Sequence, residues 1–246
     1  MNLVLLEPDD LAGDEAVLRG RRARHVREVH RVRPGDVLQV GLVGSLVGDG
    51  TVLAVEGDEV RLRVHLCRAP PARSGIDLLL ALPRPKVLKR LLAATASLGV
   101  ERVVLVNAAR VEKSYFDSPF LAPDALREAL VLGLEQARDT VLPEVRLRPR
   151  FRPFVEDELP SWWPAPAPKL VAHPASESGL EGCEVGRARS KVVVAVGPEG
   201  GFVPFELDLL ARAGFTAFTL GERILRVDTA VVAVVAQLQL LRRLRA

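Results

Sequence analysis

The chain is poor in cysteine, with only Cys67 and Cys183 in 246 residues and no C-x-x-C spacing. That excludes a disulfide framework and a cysteine zinc cluster, and both thiols read as small core residues. Histidine is scarce too: there are four, with no H-E-x-x-H arrangement, and His25 and His30 stand five apart, a spacing that shares no α-helical face. No metal site is expected. Long apolar runs are also missing. The longest candidate, residues 229–241, is interrupted by Gln237 and Gln239, so it reads as a buried helix rather than a membrane span of ~18 apolar residues. The opening residues lack the basic stretch and long apolar core of an export signal, so a cytoplasmic location without membrane partners is expected. Lysine is rare as well, only five of the 34 basic residues, and the other 29 are arginine.

The apolar fraction of 48% with 26% charged residues is that of a folded globular protein. At roughly 150 residues per domain, the length fits one large or two unequal domains. Net charge is only +3, but it is unevenly spread. Arg19, Arg21, Arg22, Arg24, Arg27, Arg31 and Arg33 fall in one short segment that contains a single acid, Glu28. Clustered arginine is the footprint of phosphate contact with nucleic acid, and a solvated charged face is the alternative.

Two halves differ in pattern. Residues 37–43, 51–55 and 60–66 read as short strands separated by Pro-Gly-Asp, Gly-Asp-Gly and Gly-Asp turns, which predicts a small β-barrel or sandwich. A Pro pair at Pro70 and Pro71 marks residues 68–75 as the linker, giving domains 1–70 and 74–246. Beyond it, continuous apolar strands at 78–82, 103–106, 170–172, 192–196 and 218–220 alternate with helical stretches at 86–98, 123–137, 204–213 and 229–244. Strands buried on both faces and separated by helices predict an α/β domain with a parallel sheet. Residues 151–168 form a proline-rich excursion before its third strand.

Chemistry concentrates in two loops. In the first, the strand 192–196 runs into Gly197-Pro198-Glu199-Gly200-Gly201-Phe202 and then a helix with Pro204 and Glu206 in its first turn. Glycines at the carboxyl end of a parallel strand let backbone groups approach a ligand. The loop is neither a GxxxxGK[ST] phosphate loop nor a GxGxxG dinucleotide turn, which argues against an NTPase and a dehydrogenase. In the second, Leu220-Gly221-Glu222-Arg223-Ile224-Leu225-Arg226-Val227-Asp228-Thr229-Ala230 leads into the last helix, with Asp228 or Thr229 as candidate caps. Two arginines at the mouth of a sheet crevice suit an anionic or carbonyl-bearing partner.

GPEGGF followed by LGERILRVDTA closely resembles the paired signatures of the RsmE family, 16S ribosomal RNA N3-uridine methyltransferases of the SPOUT superfamily. Residues 25–36, from His25 to Gly35-Asp36, resemble the family's N-terminal H-x-x-x-V-x-R-x-x-x-G-D stretch, and Leu98-Gly99-Val100 and Glu135-Gln136 also match. The resemblance implies a PUA-like RNA-binding β-barrel followed by an α/β domain with a C-terminal trefoil knot that binds S-adenosylmethionine. It implies a homodimer that methylates N3 of uridine 1498 in the 16S rRNA of the small ribosomal subunit. The cofactor-binding residues would be Ala172, His173, Gly197, Pro198, Glu199, Gly200, Gly201, Leu220, Gly221, Ile224, Leu225 and Thr229. Arg226, and after it Arg223, would be catalytic, stabilising charge on the uracil carbonyls once N3 loses its proton. Asp228 or Glu199 could accept that proton. RNA would be held by Arg19, Arg21, Arg22, Arg24, Arg27 and Arg31. The chain departs from the family pattern at Ala94 and Ser97, where Lys and Glu are common, at Ala137-Arg138-Asp139, at Val203 in place of a capping Ser, and at Asp228 in place of Glu. An RNA methyltransferase of another target, or a non-catalytic RNA-binding protein, are the alternatives.

Overall fold

The computed structural model describes residues 2–186 and 190–245. The chain divides into two compact units, one of residues 1–72 and 131–142, the other of residues 73–130 and 143–246.

The first unit is built on β1 (Val4–Leu6), β2 (Leu11–Ala12), β3 (Glu15–Leu18), β4 (Val37–Leu42), β5 (Val47–Glu56) and β6 (Glu59–Arg68). They form one mixed sheet in the order β1-β4-β5-β6-β3-β2, antiparallel except where β1 runs parallel to β4. Strand β6 shows why. Val60, Leu62 and Val64 are buried while Arg61, Arg63 and His65 face solvent, the two-residue period of a half-covered strand. The core gathers Val4, Leu6, Leu18, Val40, Val52 and Leu62, and helix α1 (Gly20–His25) with its continuation adds Ala23 and Val26. Strands β1 to β3 are too short to show a period in sequence, and their burial is settled by these partners.

Helix α1 continues into a π turn over Val26–His30 and stops at Arg31, whose φ of 54° is left-handed. The π turn corrects the separation expected for His25 and His30. Its i to i+5 closure places residues five apart one above the other, and the two rings meet edge to face with centroids 5.1 Å apart.

Among the described residues the second unit contains six parallel strands: β7 (Ile76–Ala81), β8 (Arg102–Val106), β9 (Glu144–Arg148), β10 (Lys169–Ala172), β11 (Val192–Val196) and β12 (Phe215–Phe218). Every residue of β7 and β11 is buried, as expected of central parallel strands covered on both faces. The connecting helices are α2 (Pro85–Ser97), α3 (Pro123–Ala137), the short α4 (Phe151–Pro153) and α5 (Leu159–Trp162), α6 (Pro204–Arg212) and α7 (Val227–Leu244). The strand order is β12-β10-β11-β7-β8-β9. The chain builds outward from β7 to β9, crosses to β10, and then sets β11 back between β10 and β7.

Two sequence expectations shift. The last strand is Phe215–Phe218 rather than 218–220, because Phe215 and Phe218 are its buried members and Thr219 already closes a turn on Gly221. Strand β9 is an addition to the expected set: it is the half-exposed edge of the sheet, where an Arg-rich Glu144–Arg148 carries no continuous apolar run. The proline-rich excursion seats Trp163 in the core, where its indole Nε1 donates to Asp77 Oδ2 at 2.7 Å.

Candidate active site

The carboxyl ends of β12, β10 and β11 lie side by side, and the loops that leave them line one pocket. From β10 come Ala172, His173 and Pro174. From β11 come Val196, Gly197, Pro198, Glu199, Gly201 and Phe202. The β12 loop gives Thr219, Leu220, Gly221, Arg223, Ile224 and Leu225, and the first turn of α7 closes the wall with Val227 and Ala230. Ligands of open parallel sheets bind at such strand ends, outside a reversal of strand order.

Local hydrogen bonds shape each loop. Gly201 N–H donates to Pro198 O at 2.8 Å with Gly201 at φ 72°, a conformation that suits glycine. Thr219 N–H donates to Ser178 O at 2.8 Å, His173 N–H to Phe218 O at 2.8 Å, and the Ser176 hydroxyl to Ala217 O at 3.1 Å, so the β10 loop is stitched to β12. Glu206, buried in the first turn of α6, accepts Val203 N–H at 3.0 Å and Ala109 N–H at 2.7 Å. It thereby supplies half of a capping box where Val203 has no side-chain acceptor of its own.

The pocket brings together Ala172, His173, Gly197, Pro198, Glu199, Gly201, Leu220, Gly221, Ile224 and Leu225, and it adds Arg223. Gly200 is outside the lining, with its carbonyl held by the Arg110 guanidinium. Thr229 lies instead in a shallow hollow with Arg90, Ala94, Asp228 and Val232. Arg226 is the N-cap residue of α7, exposed, and its side chain has no hydrogen bond or ion pair with the described residues. Helix α7 therefore begins two residues before the expected start, and neither Asp228 nor Thr229 caps it. Asp228 accepts from Arg90 Nη2 at 3.1 Å. Pro174, Val196, Phe202, Thr219, Val227 and Ala230 also line the pocket; Phe202, Val227 and Ala230 lie within the two signatures, Val196 and Thr219 directly precede them, and Pro174 follows His173.

In the first unit the arginine segment separates into two groups. Arg22 forms a two-pronged pair with Asp10 and also donates to Leu5 O at 2.8 Å. Arg21 Nη2 donates to both oxygens of Glu135 at 3.0 Å, and Glu135 is only 2% exposed. Burial raises the Glu135 pKa despite the guanidinium beside it. Arg19 pairs with Glu59 and Arg27 with Asp58, at 2.7 and 2.9 Å. Arg24, Arg31 and Arg33 are exposed, and their side chains have no ion pair with the described residues. Exposed Val29 and Val37 lie in the same stretch of chain. His25 is held below its ordinary pKa by burial first, then by surrounding positive charge that includes His30 and Arg21, so its neutral form is favoured there.

No described helix is long and apolar enough to cross a membrane, and no three His, Cys, Asp or Glu side chains among the described residues are grouped to hold a metal.

Residues 70–239 match the RNA methyltransferase domain family. The chain is 30% identical over 240 residues to ribosomal RNA small subunit methyltransferase E of Treponema pallidum, covering 96% of this chain and 90% of that one. It is 29% identical over 226 residues to the protein of the same name from Mycobacterium tuberculosis, covering 89% and 83%. Among solved structures, ribosomal RNA small subunit methyltransferase E of Neisseria gonorrhoeae, bound to S-adenosylmethionine, superposes with a TM-score of 0.78 at 24% identity over 98% of both chains. A Legionella pneumophila protein solved with the cofactor SAM gives 0.77 at 22% identity over 97% of both. With a family model spanning most of its length and full-length relatives of one name, the chain belongs to the ribosomal RNA small subunit methyltransferase E family of RNA methyltransferases.

Proposed function

We propose that the protein methylates N3 of a uridine, the one at position 1498, in the 16S rRNA of the small ribosomal subunit, using S-adenosylmethionine. The observation that carries this reading is the convergence of both signature loops on one pocket, with Arg223 at its rim and Arg226 just beyond. In this reading residues 1–70 act as a PUA-like RNA-binding domain. Residues 74–246 act as the SPOUT methyltransferase domain, whose trefoil knot is supported by the setting of β11 between β10 and β7. In this reading the protein acts in the cytoplasm.

The residues present fit the cofactor. Gly201 and Gly221 have φ of 72° and 111°, and a Cβ built at either would meet nothing within 4 Å, so the backbone there is open to a ligand. Ile224 is 83% exposed although it lines the pocket, an aliphatic surface that a bound adenine would cover. Ala172, Leu220, Leu225 and Val227 would add apolar walls. When bound, S-adenosylmethionine supplies an activated methyl group on a sulfonium.

The protein's own part is electrostatic. Loss of the N3 proton spreads negative charge over the two flanking uracil carbonyls. A guanidinium at the rim, with no partner among the described residues, stabilises that charge with little reorganisation, the role assigned to Arg226 with Arg223 in support. Asp228 is already held by Arg90, so Glu199, the carboxylate in the pocket lining, is the one left to draw the proton.

Labelled cofactor incubated with unmodified small subunits should leave N3-methyluridine on digestion, read by mass spectrometry. Arg226→Ala should bind cofactor within about twofold of wild type and lose on the order of 100-fold in kcat, because its partner charge exists only in the transition state. Methyl on another base or on ribose would refute the substrate. Cofactor binding without any turnover on RNA would favour a non-catalytic RNA-binding protein.

The arginine segment would meet RNA phosphates through Arg24, Arg31 and Arg33, since the others are committed to acids of their own unit. Replacing Arg24 and Arg31 with Ala should reduce the slope of log affinity against log salt by roughly 0.7 to 0.9 for each phosphate that is no longer neutralised. Arg22→Ala should instead lower the melting temperature, because it leaves Asp10 unpaired. An unchanged slope in the first variant would make the segment a solvated face.

A homodimer is proposed from α7, where Val232, Leu240 and Leu244 are 41%, 48% and 73% exposed at helical spacing, on a helix whose opposite face is fully buried. Sedimentation at micromolar concentration should give twice the chain mass of 26.7 kDa. A species of single mass would remove the dimer.

A further inference from the structure

The loop after β8 carries an arginine that the proposed mechanism leaves unused. Arg110 donates from Nη1 to the carbonyl of Gly200, and its aliphatic stem covers the α-carbon of that glycine. A Cβ built on Gly200 would lie 2.9 Å from Arg110 Cδ and 3.6 Å from Arg110 Cβ. Gly200 does not have a left-handed φ, unlike Gly201, so conformation does not demand glycine at 200. Space does. Arg110 occupies the position a side chain would take. Next to it, Ala109 N–H donates to buried Glu206 at 2.7 Å, so the β8 loop is tied both to the middle of the segment that joins β11 to α6 and to the first turn of α6.

We propose that Arg110 is a positioning residue for the cofactor loop: by holding the Gly200 carbonyl and filling the space above its α-carbon, it fixes the turn that presents Glu199 and Gly201 to the pocket. This rests on the reading of that pocket as the S-adenosylmethionine site. The guanidinium is exposed, so its hold is screened by solvent, and the effect is modest in size. Gly200→Ala displaces a flexible side chain rather than backbone, so it should leave the fold intact while pushing Arg110 off its carbonyl.

The test is calorimetric binding of S-adenosylmethionine to full-length wild type, Arg110→Ala, Gly200→Ala, the double variant and Arg110→Lys. Each alanine variant should weaken binding about five- to tenfold, and the double variant no more than either single one, because both remove the same interaction. Arg110→Lys, which keeps a stem and one donor, should recover part of the loss. In turnover the loss should appear in KM for the cofactor with kcat at saturation unchanged, and melting temperatures should stay within about two degrees. Additive losses, or an Arg110→Ala variant that binds like wild type, would overturn the inference while leaving the pocket reading intact. A fall in kcat with unchanged cofactor affinity would overturn it too, by placing Arg110 against the RNA. A wild type that binds no S-adenosylmethionine would overturn the pocket reading and the inference with it.

Discussion

The position of β11 between β10 and β7 is the constraint on which the second unit depends. Because all six strands are parallel, every carboxyl end opens on the same edge, and the insertion makes the ends of β12, β10 and β11 consecutive there. Three loops far apart in the chain, beginning at His173, Gly197 and Thr219, thereby share one crevice. The apolar run of β11, Val-Val-Val-Ala-Val, is what makes a central position obligatory. A strand with all five residues buried can be neither an edge nor half solvated.

Helix α7 supplies the remaining wall, and its far end is anchored by hydrogen bonds to carbonyls. Arg242 is buried, donating to Ser74 O at 2.9 Å and to the Ser190 hydroxyl at 3.1 Å, and burial lowers its pKa. Gln239 donates to Leu98 O at 2.8 Å, and Arg245 to Cys183 O at 2.9 Å. Arginine suits such a place because its fork reaches several carbonyls and it stays charged at any working pH. With the end of the helix fixed in this way, its start holds Val227 and Ala230 against the pocket. The rim residues Arg223 and Arg226 have no side-chain hydrogen bond or ion pair with the described residues.

Much of this is legible in the sequence because the central strands bury both faces and so read as unbroken apolar runs, and because glycine-rich loops announce themselves by composition. What is hidden has physical reasons. Strand β9 is a charged edge, and β1 to β3 are too short for periodicity. The meeting of His25 with His30 needs a π turn, which no α-helical spacing rule anticipates. The division of the arginine segment is also invisible, since the partners of Arg21, Arg22 and Arg27 are Glu135, Asp10 and Asp58, at separations from 12 to 114 residues. Likewise, the reason for glycine at 200 lies with Arg110, ninety residues away in the chain.

The central claim is that the three strand-end loops form a single S-adenosylmethionine site. Hydrogen exchange by mass spectrometry, with and without saturating S-adenosylmethionine, tests it most directly. The account predicts slowed exchange together in residues 172–174, 197–202 and 219–225, with the arginine segment at 19–33 unchanged. Protection in none of the three loops, or in one without the other two, would contradict it.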